Sequence, residues 1–173
     1  MATAHAIRPQ GQMTTTQVYR VYIKATPQAI WDAITQPEWT ARYGYGGRGE
    51  YDLRPGGTYT AYTSAAMREH GAPDVAIVGE VLEADPPRKL VQTWQMVMDP
   101  AMEAQGATRL TYEIDELPDG TSRLTVVHDL TGAPVLAGLM RGDMEAQGAG
   151  GGWNWVLSTL KTLLETGEEL GQR

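Results

Sequence analysis

The sequence predicts an α+β domain in which an antiparallel sheet closes against a long C-terminal helix. Three observations carry that reading. From Gly49 to Leu130 apolar and polar residues alternate with the period of a strand. The joints within that stretch, Arg54-Pro55-Gly56-Gly57, Asp85-Pro86-Pro87 and Pro118-Asp119-Gly120-Thr121, are turns too short to hold a crossover helix, so neighbouring strands must run antiparallel. Finally, Trp153, Val156, Leu157, Leu160, Leu163 and Leu164 fall on one wide face at helical spacing.

The elements follow in chain order. Residues 1–16 read as a flexible N-terminal tail, rich in Gly, Gln and Thr without apolar periodicity, and residues 17–173 as a single domain. Val18, Tyr19, Val21, Tyr22 and Ile23 make a first strand over 17–25. Thr26-Pro27 has the chemistry of a helix start, and Pro37 stops that helix. Thr35 and Glu38 have capping-box spacing, predicting a second short helix through Trp39 and Tyr43. Six strands are then expected at 48–54, 58–65, 75–84, 89–98, 108–117 and 122–131. Gly132–Gln147 is broken by glycine, and Gly148, Gly150, Gly151 and Gly152 form a flexible hinge before the last helix.

Composition narrows the functions. The chain has 173 residues, one ordinary domain, and a net charge of −7 that repels phosphate backbones and anionic lipid. Nucleic-acid binding and membrane insertion are therefore not expected. Cysteine is absent, which excludes disulfides, thiolate catalysis and cysteine metal sites. The first residues lack the apolar run of a signal peptide and no segment has the length of a membrane span, so a cytoplasmic location is expected. Phenylalanine is absent too, leaving 5 Trp and 8 Tyr as the aromatic complement, each with a polar atom to satisfy.

Motifs for chemistry are sparse. Gly44-Tyr45-Gly46-Gly47-Arg48-Gly49 matches GxGxxG, but it follows a helix and precedes a strand, the reverse of a dinucleotide site. No serine lies in a nucleophile elbow, and His5, His70 and His128 lack metal-ligand spacing. No metal or cofactor is called for. His128 shares a strand face with Leu124, Val126 and Leu130, so it points inward either as a satisfied core histidine or as a ligand contact. The string MEAQGA occurs at Met102–Ala107 and Met144–Ala149, through coincidence in an Ala/Gly-rich chain or as two flaps at one end of the domain.

Several strings in order carry a resemblance. Ala29-Ile30-Trp31-Asp32-Ala33-Ile34-Thr35-Gln36-Pro37-Glu38-Trp39, Leu53-Arg54-Pro55-Gly56-Gly57-Thr58-Tyr59, Gly79 to Pro87, Leu90 to Trp94, Thr121–Val127 and Gly152-Trp153 resemble the START/Bet v 1-like (SRPBCC) superfamily. More narrowly they resemble its activator of Hsp90 ATPase homologue-like branch. The resemblance spans residues 17–168 and implies a helix-grip fold, a curved sheet wrapped around the last helix with an apolar cavity between. It brings no shared catalytic set, since its members include ligand carriers, polyketide cyclase/aromatases, co-chaperones and proteins sacrificed to enediyne antibiotics.

The leading expectation is therefore a small-molecule binding protein, its ligand hydrophobic and polyketide-like. Alternation and helical spacing place Gln92, Trp94, Met96, Leu110, Tyr112, Val126, His128, Trp153, Val156, Leu157 and Leu160 inward, as pocket lining or as core. A cyclase/aromatase-type enzyme is the alternative, with His128 as its one catalytic candidate beside Tyr112 or Glu80. An enediyne self-sacrifice role is another. An Hsp90-type chaperone is not the expected partner, because eukaryotic activators carry a further N-terminal domain where this chain has a short tail. A homodimer is left open.

Overall fold

A computed structural model describes residues 15–171. Residues 1–14, most of the expected tail, lie outside them. Thr16 opens β1 (Thr16–Ile23), and just before it the Thr15 carbonyl accepts from Leu130 N. Then come α1 (Pro27–Thr35), α2 (Pro37–Thr40), β2 (Gly49–Tyr51), β3 (Thr58–Tyr62), α3 (Ala65–Glu69), β4 (Val75–Asp85) and β5 (Lys89–Met96). The chain continues through α4 (Pro100–Glu103), β6 (Thr108–Glu116), β7 (Ser122–Asp129), α5 (Pro134–Arg141) and α6 (Trp153–Thr166). The strands form one antiparallel sheet in the order β1-β7-β6-β5-β4-β3-β2. Register shifts between Ala61 and Tyr62 and between Val81 and Glu83 bend the sheet so that it curls around α6. This is the helix-grip architecture.

Local chemistry explains the boundaries. The Thr26 hydroxyl accepts from Ala29 N at 3.1 Å, and Gln36, held extended before Pro37, ends α1. The capping box expected of Thr35 and Glu38 does not form. Thr35 is buried, and its hydroxyl donates back to the Trp31 carbonyl at 2.8 Å; α2 ends at Thr40 rather than near Tyr43.

Three helices were not expected. α3 and α4 are single turns started by Ser64 and Asp99, whose side chains accept from Met67 N and from Ala101 and Met102 N. α5 occupies the stretch read as glycine-broken. Its Gly138 is buried in mid-helix, where a Cβ would come within 3.7 Å of Asp143 and 4.0 Å of Met144. The two MEAQGA copies are used differently. Gln105 Oε1 accepts from Val135 N at 3.1 Å and Leu136 N at 3.5 Å, capping α5 from a distant loop, whereas Gln147 is exposed.

At the start of α6, Gly152 has φ +63° and donates its N–H to the Tyr45 hydroxyl at 3.0 Å. Any side chain there would strike the Met140 carbonyl, so the glycine lets the α5–α6 corner close. Trp153, Leu157, Leu160 and Leu163 of α6 are buried. The first three join Val81, Leu90, Trp94, Leu110, Leu124 and Val126 of the sheet in one apolar core. Each such leucine contributes about 1.5–3 kcal/mol on leaving water. Among the described residues no helix is long and apolar enough to cross a membrane.

Candidate functional site

Strand register determines what α6 sees. Val81, Gln92, Leu110 and His128 stand abreast across β4, β5, β6 and β7, and Leu90, Tyr112 and Val126 form the neighbouring row on the same face. Trp94 pairs with Thr108 one step further along.

His128 is the centre of a closed hydrogen-bond chain. Trp153 Nε1–H donates to His128 Nδ1 at 3.2 Å, and His128 Nε2 lies 2.8 Å from the Thr108 hydroxyl, which donates to the Trp94 carbonyl at 2.8 Å. An indole can only donate, so Nδ1 is the acceptor and the proton sits on Nε2. The imidazole is therefore neutral. It is fully buried, and desolvation pulls its pKa down to about 4, partly opposed by the Asp129 carboxylate. Trp94 and Trp153 meet its ring edge-on at 5.2 and 6.0 Å. With both nitrogens engaged, this histidine is a poor general base. Glu80 is exposed beside the buried Val81 and is not brought to it.

The predicted inward residues divide by coverage. Gln92, Trp94, Met96, Leu110, Val126, His128, Trp153, Leu157 and Leu160 are buried, while Tyr112 and Val156 keep uncovered surface. Among the tyrosines not predicted, Tyr19 of β1 shares that property, and so do three others. Tyr43 comes from the loop after α2, and Tyr51 and Tyr59 are paired in register on β2 and β3. Tyr51 and Tyr59 stack with ring centroids 4.4 Å apart, and Tyr112 meets Trp153 edge-on at 6.1 Å. The phenols of Tyr43, Tyr51, Tyr59 and Tyr112 have pKa values raised chiefly by burial, Tyr59 to about 12 and Tyr51 and Tyr112 well above the ordinary range. The pairing of Tyr51 with Tyr59 across the Arg54–Gly57 turn was the one sequence signal that could have found them.

Gln92 lies in the floor of this region. It is fully buried, and its Oε1 accepts from the Tyr51 hydroxyl at 2.8 Å. Its Nε2 has no partner, and it is the one such buried side-chain atom among the described residues.

Other motifs are structural. The GxGxxG loop runs from α2 to β2 and is tied to α6, with Gly44 N donating to Thr159 Oγ1 at 2.8 Å and Trp155 Nε1 to the Gly44 carbonyl at 2.9 Å. Among the described residues no three His, Asp or Glu side chains converge as a metal site would require.

Residues 24–165 match the family described as Activator of Hsp90 ATPase homolog 1-like protein. No curated protein matches the chain. Protein MLL2253 from Mesorhizobium loti is similar in structure, with TM-score 0.63 and 22% identity over 87% of this chain and 96% of that one. CalU16 from Micromonospora echinospora has TM-score 0.56 and 18% identity, covering 86% of this chain and 77% of its own. The Aha1 dimer from Colwellia psychrerythraea has TM-score 0.55 and 16% identity over 88% and 98%. At these identities the likeness is one of fold.

Proposed function

The chain belongs to the activator of Hsp90 ATPase homolog 1-like family, and from that premise we propose that it is a small-molecule binding protein holding a flat, hydrophobic, polyketide-like ligand between the sheet and α6. The observation that supports this reading is the cluster of partly buried tyrosines, Tyr43, Tyr51, Tyr59 and Tyr112, packed against the apolar core, with Tyr51 stacked on Tyr59 and Tyr112 edge-on to Trp153. These walls are aromatic and apolar with few fixed polar groups, the make-up of a pocket that takes ligands by shape.

Binding is favoured over a cyclase-type reaction because the strongest acid/base candidate is spent. Both nitrogens of His128 are bonded within the protein. Native mass spectrometry of freshly purified protein tests the proposal, with a bound mass that leaves on denaturation as the expected result. Saturable tryptophan fluorescence changes with flat apolar compounds are expected too, since Trp153 touches Tyr112. If a broad panel gives no saturable change while Leu160→Trp stabilises the fold, the interior is a filled core and the proposal is wrong.

A further inference from the structure

The buried amide of Gln92 does something the apolar lining does not explain. A glutamine in mid-strand among Val81 and Leu110 contributes less to a core than leucine would, unless its polar atoms are used. One of them is. Tyr51 donates to Oε1 at 2.8 Å, so the amino end is the one left over. The amino end carries two N–H donors, is fully enclosed and meets no acceptor. The nearby surface that protein leaves uncovered belongs to aromatic rings, the stacked Tyr51 and Tyr59 and the edge-on Tyr112. Gly79, opposite Tyr59 in the register, has no room for a side chain, because a Cβ on it would strike the Thr93 carbonyl and lie 3.3 Å from the Tyr59 ring.

Resting on the binding reading above, we infer that Gln92 Nε2 is the selective hydrogen-bond donor of the site, and that its ligand is a flat apolar molecule bearing a carbonyl oxygen. A donor without a partner selects strongly. A ligand that supplies an acceptor relieves it, and one that lacks an acceptor leaves it buried and unmet. Two of the phenol protons are already used, that of Tyr51 by Gln92 and that of Tyr43 by the Ala33 carbonyl at 2.9 Å. Aromatic walls set the shape of the guest, and the amide sets which edge of it enters first.

The test uses two probes of one shape, fluorene and 9-fluorenone, which differ by a carbonyl. Dissociation constants for the full chain are read from tryptophan fluorescence. The expected result is binding of both, with fluorenone about tenfold tighter. The carbonyl stretch of bound fluorenone should also move to lower wavenumber. Gln92→Leu should erase the preference and the stretch shift while keeping fluorene binding. Tyr51→Phe/Gln92→Leu removes both members of the internal pair, leaves no orphaned group, and should behave the same way if the single variant folds poorly. Equal binding of the two probes to the wild-type chain, as an ordered water on Nε2 would give, overturns the inference and leaves the binding function standing. A preference that survives in both variants also overturns it. If neither probe binds, the inference falls together with the reading it rests on.

Discussion

Acid should destabilise this protein through His128 before its carboxylates matter. The folded state holds the ring neutral, because a proton on Nδ1 would abolish the bond from Trp153 Nε1 and charge a fully buried group. Its pKa is pulled from 6.5 to about 4. An unfolded chain has no such constraint and takes up the proton near the ordinary value. Between those two values the unfolded state binds more protons, so stability falls as pH falls through the window and is level above it. The full loss is about 3 kcal/mol, with a slope of at most about 1.4 kcal/mol per pH unit. Urea denaturation at steps from pH 7.5 to 4.5 measures the slope in the wild-type chain and in His128→Leu. The variant starts lower, because Trp153 and Thr108 lose their partner, but its curve should be flatter over the window. Identical slopes, or a His128 ring proton that titrates near 6.5 by NMR in the folded protein, would refute the reasoning.

Two further substitutions test the scaffold. Leu160→Ala, at a residue 2% exposed in the middle of α6, should cost about 2–5 kcal/mol by urea denaturation. Ser158→Ala is the exposed control, better than Lys161, whose ammonium bonds the Tyr22 carbonyl at 2.6 Å and Glu165 at 2.5 Å. Gln105→Ala should cost about 0.5–2 kcal/mol, and hydrogen exchange at Val135 and Leu136 should speed up while that of α6 stays unchanged.

The strands were legible because turn chemistry brackets them. Arg54–Gly57 and Pro118–Thr121 stop one run of alternation and start the next, and a slip of one residue would turn Leu90, Leu110 and Leu124 outward. α5 was not legible, because Gly138 has poor helix propensity and the stretch is short and flanked by Gly132 and Gly142. α3 and α4 are too short to show any period. At the site, alternation says which face a residue occupies but not what it finds there. It put Gln92 and Leu110 on one face without distinguishing them, and only the register between strands sets Tyr51 beside Tyr59 and within reach of Gln92. The bonding of His128 was equally hidden, since its two partners come from β6 and α6.

The strand order also has a consequence for how the molecule is assembled. From β2 to β7 every pairing joins sequence neighbours, so each can form as soon as its partner exists. β1 is different: Ile23 meets Ser122 and Thr16 meets Asp129, across about a hundred residues of intervening chain. Made before the other six strands of the sheet, this one must wait, unpaired, for β7, the last of them. It waits with Val18 and Tyr22, both exposed even in the finished fold, available to any other strand edge in its vicinity. Docking of β1 on β7 is therefore the step of highest contact order in the sheet, the one that crowding or slow synthesis would most readily divert.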